Sequence, residues 1–530
     1  MENSRAAGTL ELFCDWDGAQ GGPSLPALKD SNGDGKMGRV KRVKPIARQQ
    51  MLLRAVVIDK LVGEDHEARA IWEFVGRLDL SGYYGGIQAV EGEAGRAATD
   101  PWLLVSLWVY AYGKGISSAR EISRLCEYEP GFQWLTGMQT ISYHTLSSFR
   151  VANKEALDKL FTEILGLLSA EGVISLERVM HDGTKIKAYA SGDTFRREER
   201  IRAHLELARE QVKLMDDARE EEISPRVAQA RKRAAREKQE KLELALTEME
   251  KIRGSRSSKK DKESARVSMT DPESRVMKQA DGGYAPSYNA QITTDAKEKI
   301  IVAAGATQSA SDYEELAAAG ERVEKNMGEA PGQMVVDGGF VSRENVLGMA
   351  ERKVDLIGPV DEGAAQSAGQ LERRGVDRAF YPEAFRYDEG SDVYVCPAGK
   401  VLRYEGKEER VGCTKYRYRA GAYDCEGCHF KEKCCPQSSK GRSIVRGEND
   451  LRVTEFIARM QTEEAKAVYK QRGEVAEFPN AWVKSKIKLR QFGLRGLIKV
   501  GMELLWACLT YNIQQWIRLR WRPRWAECAG

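Results

Sequence analysis

The stretch that decides the fold is Arg178-Val-Met-His-Asp-Gly-Thr184. A second stretch, Met334-Val-Val-Asp-Gly-Gly339, has the same pattern. Each places strand-like apolar residues directly before an Asp-Gly pair. A strand that ends in Asp-Gly puts a carboxylate at the rim of a sheet, where a metal ion can enter. Taken alone, each pair is more often just a turn. If the two strands are neighbours, Asp182 and Asp337 form half of a Mg²⁺ site.

Further elements along the chain extend this pattern into a sheet. Alternating apolar residues predict strands at 288–294 and 300–307. We expect a helix after Asp312, a second helix capped by Ser342, and a last strand at 354–357. The order β, insertion, β, β, α, β, α, β resembles a ribonuclease-H-like α/β core, in which the first strand pairs with the fourth.

Helical segments lie before this core and inside it. Residues 55–170 have helical periodicity, which predicts an all-α module. In that module Arg120, Arg124 and Arg150 face DNA phosphates, as in helix-turn-helix proteins, or are ordinary surface charges. Two runs of heptad-like apolar spacing within residues 192–265 predict an antiparallel helical hairpin inserted into the core.

The third carboxylate is expected between Tyr469 and Lys484. Glu477 and Lys484 are seven residues apart, close to two helical turns, so their side chains would share one helix face. At this point the chain resembles a DDE transposase of a bacterial insertion sequence. The last motif of that family is Tyr, Arg, Glu and Lys, with six residues between Glu and Lys. Its members here are Tyr469, Arg472, Glu477 and Lys484.

Two features depart from that motif. Arg472 lies five residues before Glu477, which on an ideal helix turns it about 140° away from the face of Glu477. Pro479 predicts that the helix begins or kinks beside Glu477. Glu474 is therefore a reserve candidate for the third carboxylate, although Glu477 is favoured.

The resemblance covers most of the chain from about residue 55 to 520. It implies cleavage of DNA strands at the ends of an element, followed by strand transfer, with two Mg²⁺ or Mn²⁺ ions about 4 Å apart. It also implies a homodimer during synapsis, because two ends must be cut and joined together. The implied metal-binding residues are Asp182, Asp337 and Glu477, and the implied DNA-positioning residues are Tyr469, Arg472 and Lys484.

A cysteine-rich module is expected at residues 370–450. Cys425-x2-Cys428-x5-Cys434 follows Cys396-Pro-Ala-Gly-Lys400. Four thiolates could therefore surround a tetrahedral Zn²⁺ with a structural role. Cys413 and Cys435 compete for the fourth position.

Composition sets outer limits on the function. The 530 residues include 83 Lys and Arg against 79 Asp and Glu, so total charge does not establish a nucleic-acid partner. The longest apolar stretch, 102–112, is shorter than the roughly 20 residues of a membrane-spanning helix. No secretory signal is evident, so we expect a reducing bacterial cytoplasm, at the nucleoid.

Together these patterns predict an α/β protein with a ribonuclease-H-like mixed sheet that acts as a transposase on double-stranded DNA. A nuclease or resolvase of the same fold would instead cleave without strand transfer, and a non-catalytic DNA-binding regulator would keep DNA binding when Asp182 or Asp337 is mutated. The predicted parts are a flexible basic arm (1–50), a helical DNA-binding domain (51–172), the core with its hairpin (173–369), a zinc-ribbon-like insert (370–450), and the catalytic-Glu helix with C-terminal helices (451–530).

Overall fold

The computed structural model describes residues 55–89, 97–217, 225–359 and 364–529. The predicted basic arm, residues 1–50, lies outside the described residues. The boundaries of the other predicted parts stay predictions.

The first part of the described chain is helical. Its helices are α1 (Glu67–Val75), α2 (Ser81–Tyr84), α3 (Pro101–Gly113), α4 (Ala119–Leu125), α5 (Pro130–Thr136), α6 (Tyr143–Ala152) and α7 (Lys154–Ala170). Pro101 begins α3, and the Asp100 carboxylate accepts a hydrogen bond from the Trp102 backbone N–H. Residues 104–112 are all buried, so α3 lies at the centre of this module.

Strands and helices then alternate. They are β1 (Arg178–Lys187), β2 (Phe195–Arg196), α8 (Glu198–Asp217), α9 (Pro225–Ser255), α10 (Lys259–Glu263), β3 (Val267–Ser268), β4 (Arg275–Lys278), β5 (Tyr284–Asp295), β6 (Ile301–Thr307), α11 (Glu315–Met327), β7 (Gln333–Val335), α12 (Arg343–Glu351), β8 (Asp355–Ile357) and α13 (Ala364–Arg373).

The central sheet has the strand order β6-β5-β1-β7-β8, with β4 also paired to β5. β1 is antiparallel to β5 and parallel to β7, and β7 is parallel to β8. Among the strands of this main order, β7 is the fourth along the chain and pairs with the first, β1. This is the topology of a ribonuclease-H-like core, and the predicted fold class is confirmed.

One detail of the prediction is wrong: β1 does not end at Asp182. It continues to Lys187, because β5 pairs with it antiparallel along its whole second half. The pairing with β7 stops at Met180, however, since β7 ends at Val335. Asp182 therefore lies on the rim only on the β7 side of the strand, which is the side on which Asp337 follows β7.

The predicted helical hairpin is confirmed as α8 packed on α9. The two helices run antiparallel, since Arg209 of α8 pairs with Glu243 of α9, and Arg253 near the end of α9 pairs with Glu198 at the start of α8. The buried residues between them are Ile201, Leu205, Ala208, Leu242, Ala245 and Met249. All six of these side chains belong to the predicted apolar runs, which therefore decide how the hairpin closes.

The remaining elements form the cysteine-rich insert and the C-terminal helices. They are β9 (Arg386–Asp388), β10 (Val393–Val395), β11 (Val401–Arg410), β12 (Cys413–Ala420), α14 (Ala422–Glu426), α15 (Lys431–Cys434), β13 (Ser443–Asn449), α16 (Leu451–Met460), α17 (Glu463–Lys470), α18 (Arg472–Ser485), α19 (Leu497–Trp516) and α20 (Arg522–Ala529). The insert is a sheet in the order β13-β12-β11-β10-β9.

The buried helix α19 joins the N-terminal helices to the core. It packs against α3, α7 and β6. The Asn512 amide donates to the Ile301 backbone carbonyl at 2.8 Å and accepts from the Ile301 backbone N–H at 2.9 Å. This contact covers the edge of the sheet at β6, where unpaired backbone groups would otherwise be exposed. Within the described residues, no helix has the length and apolar character needed to cross a membrane.

Candidate active site

Asp182 and Asp337 face a common cation, the guanidinium of Arg472. Arg472 Nη1 lies 3.4 Å from Asp182 Oδ1, and Nη2 lies 3.6 Å from Asp337 Oδ2. Asp182 extends from β1, Asp337 follows β7, and Arg472 is the first residue of α18. The parallel pairing of β1 with β7 therefore brings the two predicted carboxylates together, although 155 residues separate the paired strand positions Arg178 and Gln333.

The environment of Asp182 favours its neutral form when no metal ion is bound. Burial, helped by the charges of Asp337 and Asp312 and opposed by that of Arg472, raises the pKa of Asp182 to about 6. A buried carboxylate near a like charge is stable as an anion only with a cation beside it. The pair of aspartates therefore attracts a positive charge.

One face of helix α18 packs against the sheet, and its opposite face packs against α19. Asn480 and Lys484 reach β1, where the Asn480 Nδ2 donates to Asp182 Oδ2 at 3.0 Å and the Lys484 ammonium donates to the Thr184 hydroxyl. On the opposite face, Trp482 Nε1 donates to Gln514 of α19 at 2.8 Å. Burial lowers the pKa of Lys484, while Asp182 opposes that shift.

Asn480 is a site residue that the sequence reasoning missed. Its side chain is 8% exposed, and its Oδ1 has no hydrogen-bond partner among the residues described. A buried acceptor without a partner is costly, and it is free to accept a bond from a ligand or water at the carboxylates. The sequence feature that could have identified Asn480 is its position three residues after Glu477, about one helical turn away. Pro479, however, suggested a helix break at that point.

Pro479 does not begin the helix. It lies inside α18, which runs from Arg472 to Ser485, so the expectation that the helix begins beside Glu477 is wrong. The helix tolerates the proline because this residue is buried, and packing offsets the hydrogen bond that it cannot donate.

The two candidate glutamates are about one helical turn apart on α18 and have different surroundings. Glu474 forms an ion pair with Lys299 at 2.7 Å, and this hydrogen bond lowers the pKa of Glu474. On an ideal helix Glu477 lies about 60° from Asn480, and Glu474 lies about 120° from it. Glu477 is exposed, and no hydrogen bond or ion pair within the described ranges links it to Asp182 or Asp337. In the same ranges, no three His, Cys, Asp or Glu side chains lie close enough together to form a metal-binding group.

A buried polar network lies on the other face of the sheet, directly behind Asp182. His181 hydrogen-bonds Thr293 Oγ1 and Gln291 Oε1, each at 2.8 Å, and Gln291 Nε2 donates to Asp312 Oδ1 at 2.9 Å. Burial lowers the pKa of His181 to about 4, so the imidazole is neutral at pH 7. A Cβ on Gly183 would lie 2.5 Å from Asp312 Oδ1. The glycine of the Asp-Gly pair therefore leaves room for this network.

The predicted DNA-contacting arginines have different environments. Arg120 is exposed beside the Tyr143 ring, and Arg124 is exposed and paired with Glu121 at 2.7 Å. Arg150 is buried, with its guanidinium bonded to the Ser117 carbonyl, so the expectation that it faces phosphates is wrong.

Near the carboxylates, the half-buried Tyr469 ring lies 6.0 Å from the Arg472 guanidinium carbon. The predicted zinc ligands Cys396, Cys425, Cys428 and Cys434 line one cavity in the insert.

Comparison with known proteins finds transposase families in two parts of the chain. Residues 395–517 match the family described as Transposase DDE domain, and residues 56–152 match the family described as Transposase domain (DUF772). The first match contains α18 and its acidic candidates, and the second covers most of the N-terminal helices. No curated protein matches the chain. A piggyBac transposase synaptic complex with hairpin DNA matches at 9% identity and a TM-score of 0.29, over 85% of this chain and 73% of that one. So weak a likeness carries no weight here.

Proposed function

We propose that this chain, which belongs to the DDE transposases, cuts DNA at the two ends of a mobile element and joins the freed 3′ ends to target DNA. The observation that carries the proposal is the approach of Asp182 and Asp337 to one cation, Arg472, at the rim of a ribonuclease-H-like sheet.

The residues at this rim fit a divalent metal ion. Two carboxylates turn toward one positive charge, and the Asn480 Oδ1 beside them is buried and unsatisfied. Carboxylate and amide oxygens are the ligands that Mg²⁺ and Mn²⁺ prefer. Asp182 and Asp337 would hold the metal together with a third carboxylate from α18, for which we favour Glu477.

The chemistry that metal ions supply at such carboxylates is activation of the attacking hydroxyl and stabilisation of the leaving 3′ oxygen. The protein supplies orientation. Asn480 fixes the Asp182 carboxylate through its 3.0 Å hydrogen bond. Arg472 balances the charge of both aspartates, and Lys484, which is held over Thr184, orients a DNA phosphate.

We expect the protein to act on double-stranded DNA as a homodimer, because two ends must be cut and joined in one complex. Arg120 and Arg124, which are exposed, would contribute contacts to phosphates. Such contacts are independent of sequence and weaken as salt rises.

The test of this function uses duplex DNA that carries the sequences flanking the gene, together with a supercoiled target. With Mg²⁺ or Mn²⁺ we expect cleavage at the element ends and joined products, and with EDTA we expect neither. Cleavage without joined products would favour a nuclease or resolvase instead. Binding without cleavage in either metal would favour a DNA-binding regulator.

The choice between the two glutamates makes a separate prediction. Glu477→Gln should lower the cleavage rate more than about a hundredfold, because even residues that only support metal ligands change activity roughly 10- to 100-fold. Glu474→Gln should leave the rate within about twofold of wild type, since its ion pair with Lys299 is exposed and such pairs contribute little. Single-turnover cleavage under matched DNA occupancy measures both. The reverse ranking would assign the role to Glu474.

A further inference from the structure

A small cavity in the cysteine-rich insert is lined by thiols from three separate segments. Its volume is about 20 Å³, close to that of one water-sized sphere. The lining thiols are those of Cys396, Cys425, Cys428, Cys434 and Cys435. Apolar side chains, among them Leu402 and Phe430, line the same cavity. The cavity is therefore the size of a single ion and rich in sulfur.

Backbone N–H groups already point at two of the sulfurs. The Lys400 N–H donates to Cys396 Sγ at 3.3 Å, within a tight turn in which the Gly399 N–H donates to the Cys396 carbonyl at 2.8 Å. The Arg442 N–H donates to Cys425 Sγ at 3.3 Å. These two hydrogen bonds hold the sulfurs of Cys396 and Cys425 in place at the cavity.

The insert also has little apolar core of its own. Its buried apolar cluster consists of Phe385, Leu402, Tyr418, Ala420 and Ile444. Cys396, Cys425 and Cys434 pack against this cluster. Small modules with so few core residues are commonly stabilised by a metal ion or by disulfides.

We propose that Cys396, Cys425, Cys428 and Cys434 bind one structural Zn²⁺ in this cavity. Four sulfur ligands in tetrahedral geometry are typical of structural zinc, and Cys-x2-Cys is its usual spacing. In the residues that the structure describes, no three such side chains surround one point. Metal binding would therefore require the cysteine side chains to turn toward a common centre.

One further cysteine is excluded as a ligand by position, and a second one competes. Cys413 begins β12, pairs with Arg410 and Asn449, and does not line the cavity. Cys435 lines the cavity, and its thiol contacts those of Cys425 and Cys434. We assign Cys434 as the fourth ligand because its thiol interacts with those of both Cys396 and Cys425, and the variants below decide between Cys434 and Cys435.

The test is the metal content of the full-length protein, purified without chelators under reducing conditions and measured by mass spectrometry. We expect about one zinc per chain, lost in Cys425→Ser and in Cys428→Ser. The matched control is Cys413→Ser, a buried cysteine of the same sheet, which should retain zinc. Cys435→Ser should retain it as well.

A second measurement on the wild type avoids variants that fail to fold. Thiol-reactive reagent should release zinc in proportion to the cysteines modified, and Co²⁺ in place of zinc should show sulfur-to-cobalt charge-transfer bands with a tetrahedral spectrum. Protein that holds no zinc, or that holds iron, overturns the proposal. Loss of zinc from Cys435→Ser with retention in Cys434→Ser overturns the assignment of the fourth ligand.

Discussion

Replacing Asp182 or Asp337 with asparagine is expected to lower the rate of DNA cleavage by far more than a hundredfold while DNA affinity is retained. Each substitution removes a negative charge from the pair that faces Arg472 at 3.4 Å and 3.6 Å. Mutation of a residue that only supports a metal ligand lowers metal affinity or activity roughly 10- to 100-fold, and mutation of a direct ligand should lower it more. Cleavage of an end-containing duplex in Mg²⁺, at DNA concentrations that saturate each variant, measures the loss.

The stability of the metal-free variants separates a catalytic role from a structural one. The pKa of Asp182 is raised from 3.8 to about 6 in the folded protein. Its contribution to the free energy of unfolding is therefore fully present below about pH 4 and is lost as pH rises through about 6. Asp182→Asn removes this penalty, so at pH 7 the variant should be at least as stable as wild type. A variant that loses activity because it unfolds, or that cleaves normally, would contradict the assignment.

Residues close in sequence or in a strong pattern were predictable, and residues fixed only by tertiary packing were not. The two Asp-Gly strands and the strand order predicted that Asp182 and Asp337 meet, and the pairing of β1 with β7 confirms it. The length of β1 was not predictable, because it depends on β5, whose paired residues lie 100 or more positions away along the chain. A strand continues as far as its partner does, whatever its own turn signals.

The helix that follows illustrates the same limit. Pro479 argued for a break in α18, yet burial of one helix face against the core overrides the lost hydrogen bond. The spacing of five residues turns Arg472 about 140° from the face of Glu477. In the structure Arg472 reaches both aspartates, whereas Glu477 is exposed. The angle between the two side chains was predictable, but which of them faces the aspartates depends on how α18 packs against β1 and β5.

Arg150 is the clearest case in which burial decides what sequence could not. Sequence alone grouped it with Arg120 and Arg124. In the structure Arg150 Nη1 donates to the Ser117 carbonyl at 2.7 Å, its guanidinium lies 4.7 Å from the Trp108 ring, and it faces Glu503 at 3.9 Å. Glu503 is 0% exposed and accepts backbone hydrogen bonds from Gly493 and Leu494. This pair joins α6 to α19 and so connects the N-terminal module to the C-terminal helix.

We therefore expect Arg150→Met to lower the free energy of unfolding by about 3–5 kcal/mol, because it leaves the Glu503 carboxylate buried without its cation. Burial already raises the pKa of Glu503, and Arg150 opposes that shift. Adding Glu503→Gln removes the unpaired charge while keeping an acceptor for the two backbone N–H groups, so the double variant should be more stable than Arg150→Met.

Denaturant unfolding of the two single variants and the double variant measures this coupling. The control is Arg124→Met, which breaks an exposed pair with Glu121 and should cost less than about 1 kcal/mol. The salt dependence of DNA binding should be unchanged in Arg150→Met, because a buried guanidinium neutralises no phosphate. A cost as small as that of Arg124→Met would contradict the structural role, and a reduced salt dependence would restore Arg150 as a DNA contact. Since the pair lies between modules rather than at the carboxylates, its loss should reduce folded protein before it changes the chemistry of the molecules that remain folded.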